Sequence, residues 1–105
     1  MSEEIPASLA ESVIAILRTH EQELREAGIR RLSLFGSVAR DSADAGSDID
    51  LAAELDPDVR IGLFALCALE QRLSTMIGRE VDLLPEPIEN SRLRASLDHD
   101  RLYAF

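Results

Sequence analysis

Residues 48–55 read Asp-Ile-Asp-Leu-Ala-Ala-Glu-Leu, and this octet constrains the fold more than any other segment. Alternation of apolar and polar residues over such a run is the period of a half-buried β-strand. Ile49, Leu51, Ala53 and Leu55 then share the face that meets the core. Asp48 and Asp50 share the other face, because residues i and i+2 of a strand point the same way. Asp is depleted in strands, and two unit charges about 4 Å apart repel by roughly 1 kcal/mol in water and about 4 kcal/mol at an effective dielectric of about 20. A strand that keeps both needs a compensating partner. Mg²⁺ carrying phosphate oxygens is one that carboxylates with open positions accept.

The rest of the chain frames that strand. From Ser8 to Ala27, Leu9, Val13, Ile16, Leu17 and Leu24 recur at helical spacing, with Ser8 and Glu11 as a capping box and Gly28 as the stop. Residues 29–35 alternate as a strand with Leu32 and Leu34 inward, and Gly36 breaks it ahead of a short helical turn over 37–42. Asp56 and Pro57 end the aspartate strand. Leu63, Leu66, Cys67, Leu69, Leu73, Met76 and Ile77 form a stripe that predicts a helix stopped at Gly78, with Cys67 in the core. Residues 79–85 form another strand, in which inward Val81 and Leu83 turn Asp82 to the opposite face. A last helix is predicted over about 90–98 with Leu93 and Leu97 inward, and Tyr103 and Phe105 dock the tail.

This order predicts an α/β (α+β) fold, a small mixed β-sheet of three or four strands with helices packed on one face. The 105 residues are expected to form a single domain, residues 1–105, with its motif-bearing core at about 29–85. If the third strand lies beside the second, Asp48, Asp50 and Asp82 come together.

Charge limits the partners. Eleven bases against 20 acids, a net charge of −9, would repel a phosphate backbone, so direct nucleic-acid binding is not expected. A metal-chelated nucleotide or a basic protein remains compatible. No apolar run approaches the ~20 residues needed to cross a membrane, so no membrane association is expected. The acidic N-terminus lacks a signal peptide's pattern, and the single Cys67 fits a reducing cytoplasm. His20 and His99 lack metal-ligand spacing and read as surface or packing residues.

Gly36 and Ser37 follow directly on a strand and open a helical turn, an arrangement in which backbone N–H groups and a hydroxyl can cradle a nucleotide's terminal phosphates. It is not a Walker A loop, so charge neutralisation would fall to a metal and Arg40. Gly36-Ser37, ten residues, then Asp48-Ile49-Asp50 resembles the G-S-x10-D-x-D signature of the DNA polymerase beta-like nucleotidyltransferase superfamily. The flanking Gly36-Ser37-Val38-Ala39-Arg40 and the later Val81-Asp82-Leu83 are most similar to its minimal branch, the MNT domains of MNT/HEPN toxin–antitoxin pairs.

The resemblance implies the polymerase-beta-like nucleotidyltransferase fold and a site. Asp48, Asp50 and Asp82 would be metal ligands and catalytic carboxylates for Mg²⁺ or Mn²⁺, with Asp82 also helping to deprotonate the attacking hydroxyl. Gly36 and Ser37 would hold the β- and γ-phosphates of ATP, with Arg40 and Ser47 completing nucleotide binding. The implied function is transfer of AMP from ATP to a tyrosine hydroxyl of a HEPN-domain toxin, by an antitoxin working as a homodimer or hetero-oligomer. One departure favours an alternative. The family reads Ala-Arg-Gly where this chain has Ala39-Arg40-Asp41, and a carboxylate there would suit a binding module that neutralises its partner without catalysis.

Overall fold

The computed structural model describes residues 8–42 and 46–105, and the acidic stretch 1–7 lies outside the described residues. The chain opens with α1 (Leu9–Thr19), whose N-terminus is capped as expected: the Glu11 N–H donates to Ser8 Oγ at 3.1 Å. One continuous helix to Ala27 does not form. Thr19 Oγ1 donates back to the Ala15 carbonyl at 2.9 Å, and such back-bonding bends helices. The His20 N–H is then shared between the carbonyls of Ile16 and Leu17, and α2 (Glu21–Glu26) starts just beyond His20. The break leaves Val13 and Leu17 of α1 and Leu24 of α2 all buried in one core.

Strand β1 (Ile29–Phe35) follows, then a single turn of helix, α3 (Gly36–Ala39), and β2 (Ile49–Leu55). The long helix α4 (Leu63–Ile77) ends at Gly78, which takes the left-handed conformation at φ +78. Strand β3 (Val81–Pro85) leads to α5 (Ser91–Asp100), capped by Asn90, whose side chain accepts the N–H groups of Arg92 and Leu93. The tail adds a short fourth strand, β4 (Leu102–Tyr103).

The strands form one mixed sheet in the order β3-β2-β1-β4. β1 runs antiparallel to β2 and β4, and β2 runs parallel to β3. A register shift between Ile29 and Arg31 lets Ile29 and Leu32 both point inward, although simple alternation would separate them. Against that inner face α1, α2 and α4 contribute Val13, Leu17, Leu24, Leu69 and Leu73, packed on Leu32, Leu34, Ile49 and Leu51.

The other face carries a smaller apolar cluster. Phe35 and Ala52 lie there beneath Leu97 of α5 and Ile88 of the preceding loop. The sheet-and-helix class holds, and α5 adds a partial second layer. Its sequence signal is Phe35 and Ala52, apolar residues at positions whose neighbours Asp50 and Glu54 are polar. Two inward assignments are corrected. Cys67 is exposed, because only Leu69 and Leu73 of α4 are fully buried, and Leu93 is 38% exposed because α5 lies on its Leu97 side.

Candidate active site

The parallel pairing of β2 with β3 sets Asp50 directly opposite Asp82, between the flanking pairs Ile49/Val81 and Leu51/Leu83. Those four apolar residues are buried, which drives both carboxylates to the opposite face. Asp48, two residues before Asp50 and just ahead of the strand, is exposed.

Burial pushes the Asp50 carboxyl above the ordinary value of 3.8, and the charges of Asp82 and Asp48 push it further; Arg40 opposes them. Asp82 is raised for the same reasons: burial first, then the charges of Asp48 and Glu70. The three carboxylates thus act on one another electrostatically. Among the described residues, however, no three His, Cys, Asp or Glu side chains are gathered closely enough to hold a metal ion. They share a field without forming a closed cage.

Phe35 pairs with Asp50, so Gly36 lies immediately beyond the aspartate. Gly36 takes φ +79, a conformation that costs an L-residue, and a Cβ built on it would collide with the Asp50 carboxylate oxygen. Glycine is therefore required twice, by its torsion and by the close approach of the chain to Asp50. Ser37 is half-buried, and its carbonyl accepts both the N–H and the hydroxyl of Ser42, at 2.9 and 3.3 Å, which closes the turn. Arg40 follows α3 and pairs with Asp100 of α5.

Ser47 is half-buried, and its carbonyl accepts Arg79 Nη2 at 3.1 Å. With Asp48, Gly78, Arg79 and Glu80 it lines an open cleft of about 320 Å³, which Asp50 and Asp82 do not line. Asp41, in place of the family's glycine, has φ +59, a left-handed conformation that Asp tolerates better than most residues. The departure falls where glycine is favoured, and the Asp41 side chain is exposed.

Three residues around the site escaped sequence reading: Glu70, Ser74 and Asp100. Glu70 of α4 accepts the Leu83 N–H at 2.8 Å, and Ser74, one turn on, accepts the Val81 N–H at 3.1 Å. Together they cover the outer edge of β3 on either side of Asp82. Their spacing of four on a helix is a signal, but only the tertiary placement gives it a target. Asp100, inside a run of charged residues, offered none.

The residues fit a divalent cation on donor chemistry. Asp50 and Asp82 stand side by side with their proton affinities raised by burial and then by neighbouring carboxylates, Asp48 adds oxygen donors, and glycine at position 36 lets the chain approach the Asp50 carboxylate closely.

The mixed sheet thus sets the glycine-serine turn after β1 beside the aspartates of β2 and β3. The chain belongs to the nucleotidyltransferase domain family, whose model matches residues 17–103. A solved structure described provisionally as a minimal nucleotidyltransferase superposes with a TM-score of 0.72 at 26% identity, covering 94% of this chain and 98% of that one. The crystal structure of a toxin–antitoxin bound to AMP-PNP shares the fold, with a TM-score of 0.66 at 20% identity over 91% of this chain and 72% of that one. In sequence, the chain is 35% identical over 75 residues to the protein adenylyltransferase MntA of Thermococcus cleftensis, covering 70% of this chain and 74% of the relative. It is 36% identical over 90 residues to a provisionally named protein adenylyltransferase of Methanocaldococcus jannaschii, covering 84% of this chain and 90% of the relative.

Proposed function

We propose that the protein is the antitoxin of a toxin–antitoxin pair and transfers AMP from ATP to a tyrosine hydroxyl of a HEPN-domain toxin. The observation that carries the chemistry is the register of β2 and β3, which sets Asp50 beside Asp82 next to a glycine whose positive φ and close approach to Asp50 both disfavour a side chain. The relatives named as protein adenylyltransferases support the donor and the acceptor class. The fold shared with toxin–antitoxin structures supports the kind of partner.

In the reaction the acceptor oxygen attacks the α-phosphorus of ATP in line. The bond from that phosphorus to the bridging oxygen of the β-phosphate breaks, and pyrophosphate leaves. Asp82, directly opposite Asp50 on the neighbouring strand, takes the hydroxyl proton. Gly36 and Ser37 hold the terminal phosphates against the α3 turn, Arg40 offsets their charge, and Ser47 lies on the side of the cleft. Asp48, Asp50 and Asp82 would hold Mg²⁺ or Mn²⁺, which supplies charge stabilisation to the entering and departing oxygens.

The test is to incubate the purified protein with Mg²⁺, labelled ATP and the HEPN-domain protein encoded beside it. Label is expected on a tyrosine of that protein and is expected to vanish when Asp48 and Asp50 are both changed to Asn. No transfer from any nucleoside triphosphate would sink the enzymatic reading. Asp41 favours a second reading, a catalytically weak module that neutralises its partner by binding; in that case Asp48→Asn leaves neutralisation intact.

A further inference from the structure

Arg40 Nη1 donates to Asp100 Oδ2 at 2.6 Å, and the two side chains differ sharply in exposure, 46% for Arg40 and 4% for Asp100. Asp100 is the last residue of α5, where the helix dipole already concentrates negative charge. A nearly buried carboxylate there is unfavourable unless it is paired. Its contacts fix it from several sides. Ser96, one turn back, donates to Oδ2 at 3.3 Å, and His99 Nδ1 lies 2.7 Å from Oδ1. The hydrogen bond from His99 is the main cause holding the Asp100 carboxyl below its ordinary value, and Arg40 and Ser96 add to it.

Arg40 therefore stands between a rigid anion on α5 and the reactive face, where its charge acts on Asp50. It follows directly on the α3 turn that begins at Gly36 and Ser37. Among the described residues its guanidinium is bonded to Asp100 alone. A planar fork of donors held from behind loses less freedom on meeting an anion than a free arginine does, and the donors not used can take phosphate oxygens in pairs.

We propose that Asp100 is a positioning residue for the triphosphate, acting through Arg40. It tethers the guanidinium at the rim of the Gly36–Ser37 turn, so that α5 sets the affinity of a site built by β1, β2 and β3. The proposal rests on the nucleotide-transfer reading above.

The test combines thermal titration with ATP and Mg²⁺ and steady-state transfer to the partner protein, for Asp100→Asn, Arg40→Ala and the double variant. Asp100→Asn is expected to raise the apparent dissociation constant and KM for ATP about fivefold or more, the scale of one charge-assisted contact, with kcat within about twofold. Arg40→Ala is expected to show a similar loss, and the double variant to bind no worse than Arg40→Ala alone, because both changes remove one coupled element. Asp100→Glu is expected to recover part of the affinity. A merely structural Asp100 would lower the melting temperature and leave ATP affinity unchanged, and that result overturns the proposal. So do losses that simply add in the double variant. If Asp100→Asn fails to fold, Arg40→Ala at its half-exposed position decides, and wild-type affinity in it is equally fatal. A wild-type protein indifferent to ATP ends both readings, whereas a responsive wild type with an equally responsive Asp100→Asn ends only this one.

Discussion

Gly36 carries more constraint than any other residue of the site. Its φ of +79 alone costs an L-residue roughly 1–2 kcal/mol. The Asp50 carboxylate fills the space a Cβ would need, so that side chain must also move aside. Gly36→Ala is expected to lower unfolding free energy by about 2 kcal/mol or more in urea titration, since torsional strain and overpacking act together. Transfer should fall with it, because the Asp50 carboxylate is pushed out of its place. Much of this residue scale was legible beforehand. Asp48, Asp50 and Asp82 follow from two alternating runs, since a buried Ile49 or Val81 forces its neighbour outward. The outward direction of Asp82 could be read, but its position opposite Asp50 required the strand order. Asp100 and Glu70 could not be read, because their roles consist of contacts to residues 60 and 13 positions away.

The element that most affects the site without touching its reactive face is α4. Glu70 and Ser74 accept the two N–H groups that β3 turns away from β2, and so close the sheet edge to further strands. Glu70→Ala leaves the Leu83 N–H unpaired at a part-buried edge and is expected to cost about 1 kcal/mol. The specific check is amide exchange: the Leu83 N–H should exchange faster, while the Val81 N–H, held by Ser74, stays protected. Elsewhere α4 departs from its sequence pattern. Leu63 and Phe64 are 73% and 90% exposed at its start, because only the half of the helix around Leu69 and Leu73 reaches the sheet. Hydrophobic periodicity reveals an apolar stripe but not how far along the helix that stripe finds something to cover it. The division of the first helix had a similar origin. The spacing through Leu24 is helical throughout, yet the helix breaks at His20, whose N–H is shared between two carbonyls.

At the scale of the whole molecule, the site loads the fold with charge. Asp50 and Asp82 bind protons more tightly folded than unfolded, so their contribution is fully present below the ordinary carboxylate pKa of 3.8 and is lost as pH rises through their raised values. Asp100 works in the opposite sense: its pKa is lowered, so its contribution is present above 3.8 and is lost as pH falls through the lowered value. Two consequences can be measured by melting curves. At neutral pH, without divalent ions, Asp82→Asn is expected to raise the melting temperature, and below the ordinary carboxylate pKa the difference should disappear. Mg²⁺ with ATP is expected to stabilise the wild type by about 2.7 kcal/mol at roughly 100 times the dissociation constant. That gain should shrink as pH falls from neutrality toward the raised carboxylate values, where protons compete for the same oxygens. In Asp82→Asn it should be largely lost. No helix among the described residues is long and apolar enough to cross a membrane, in line with the short apolar runs of the sequence.

By itself the sequence determined what depends on neighbours a few positions away. Alternation and helical spacing set which residues are strands and helices, and the aspartate and glycine-serine motifs set the chemistry, because side-chain direction follows from local backbone geometry. Only the tertiary structure decided which strands lie side by side, that the tail returns as β4 along β1, that α5 crosses to the carboxylate face, and which distant acids pair with Arg40 and with the β3 edge. Those outcomes depend on contacts between residues far apart in the chain, where a single hydrogen bond or buried side chain selects one arrangement among several that the local pattern permits.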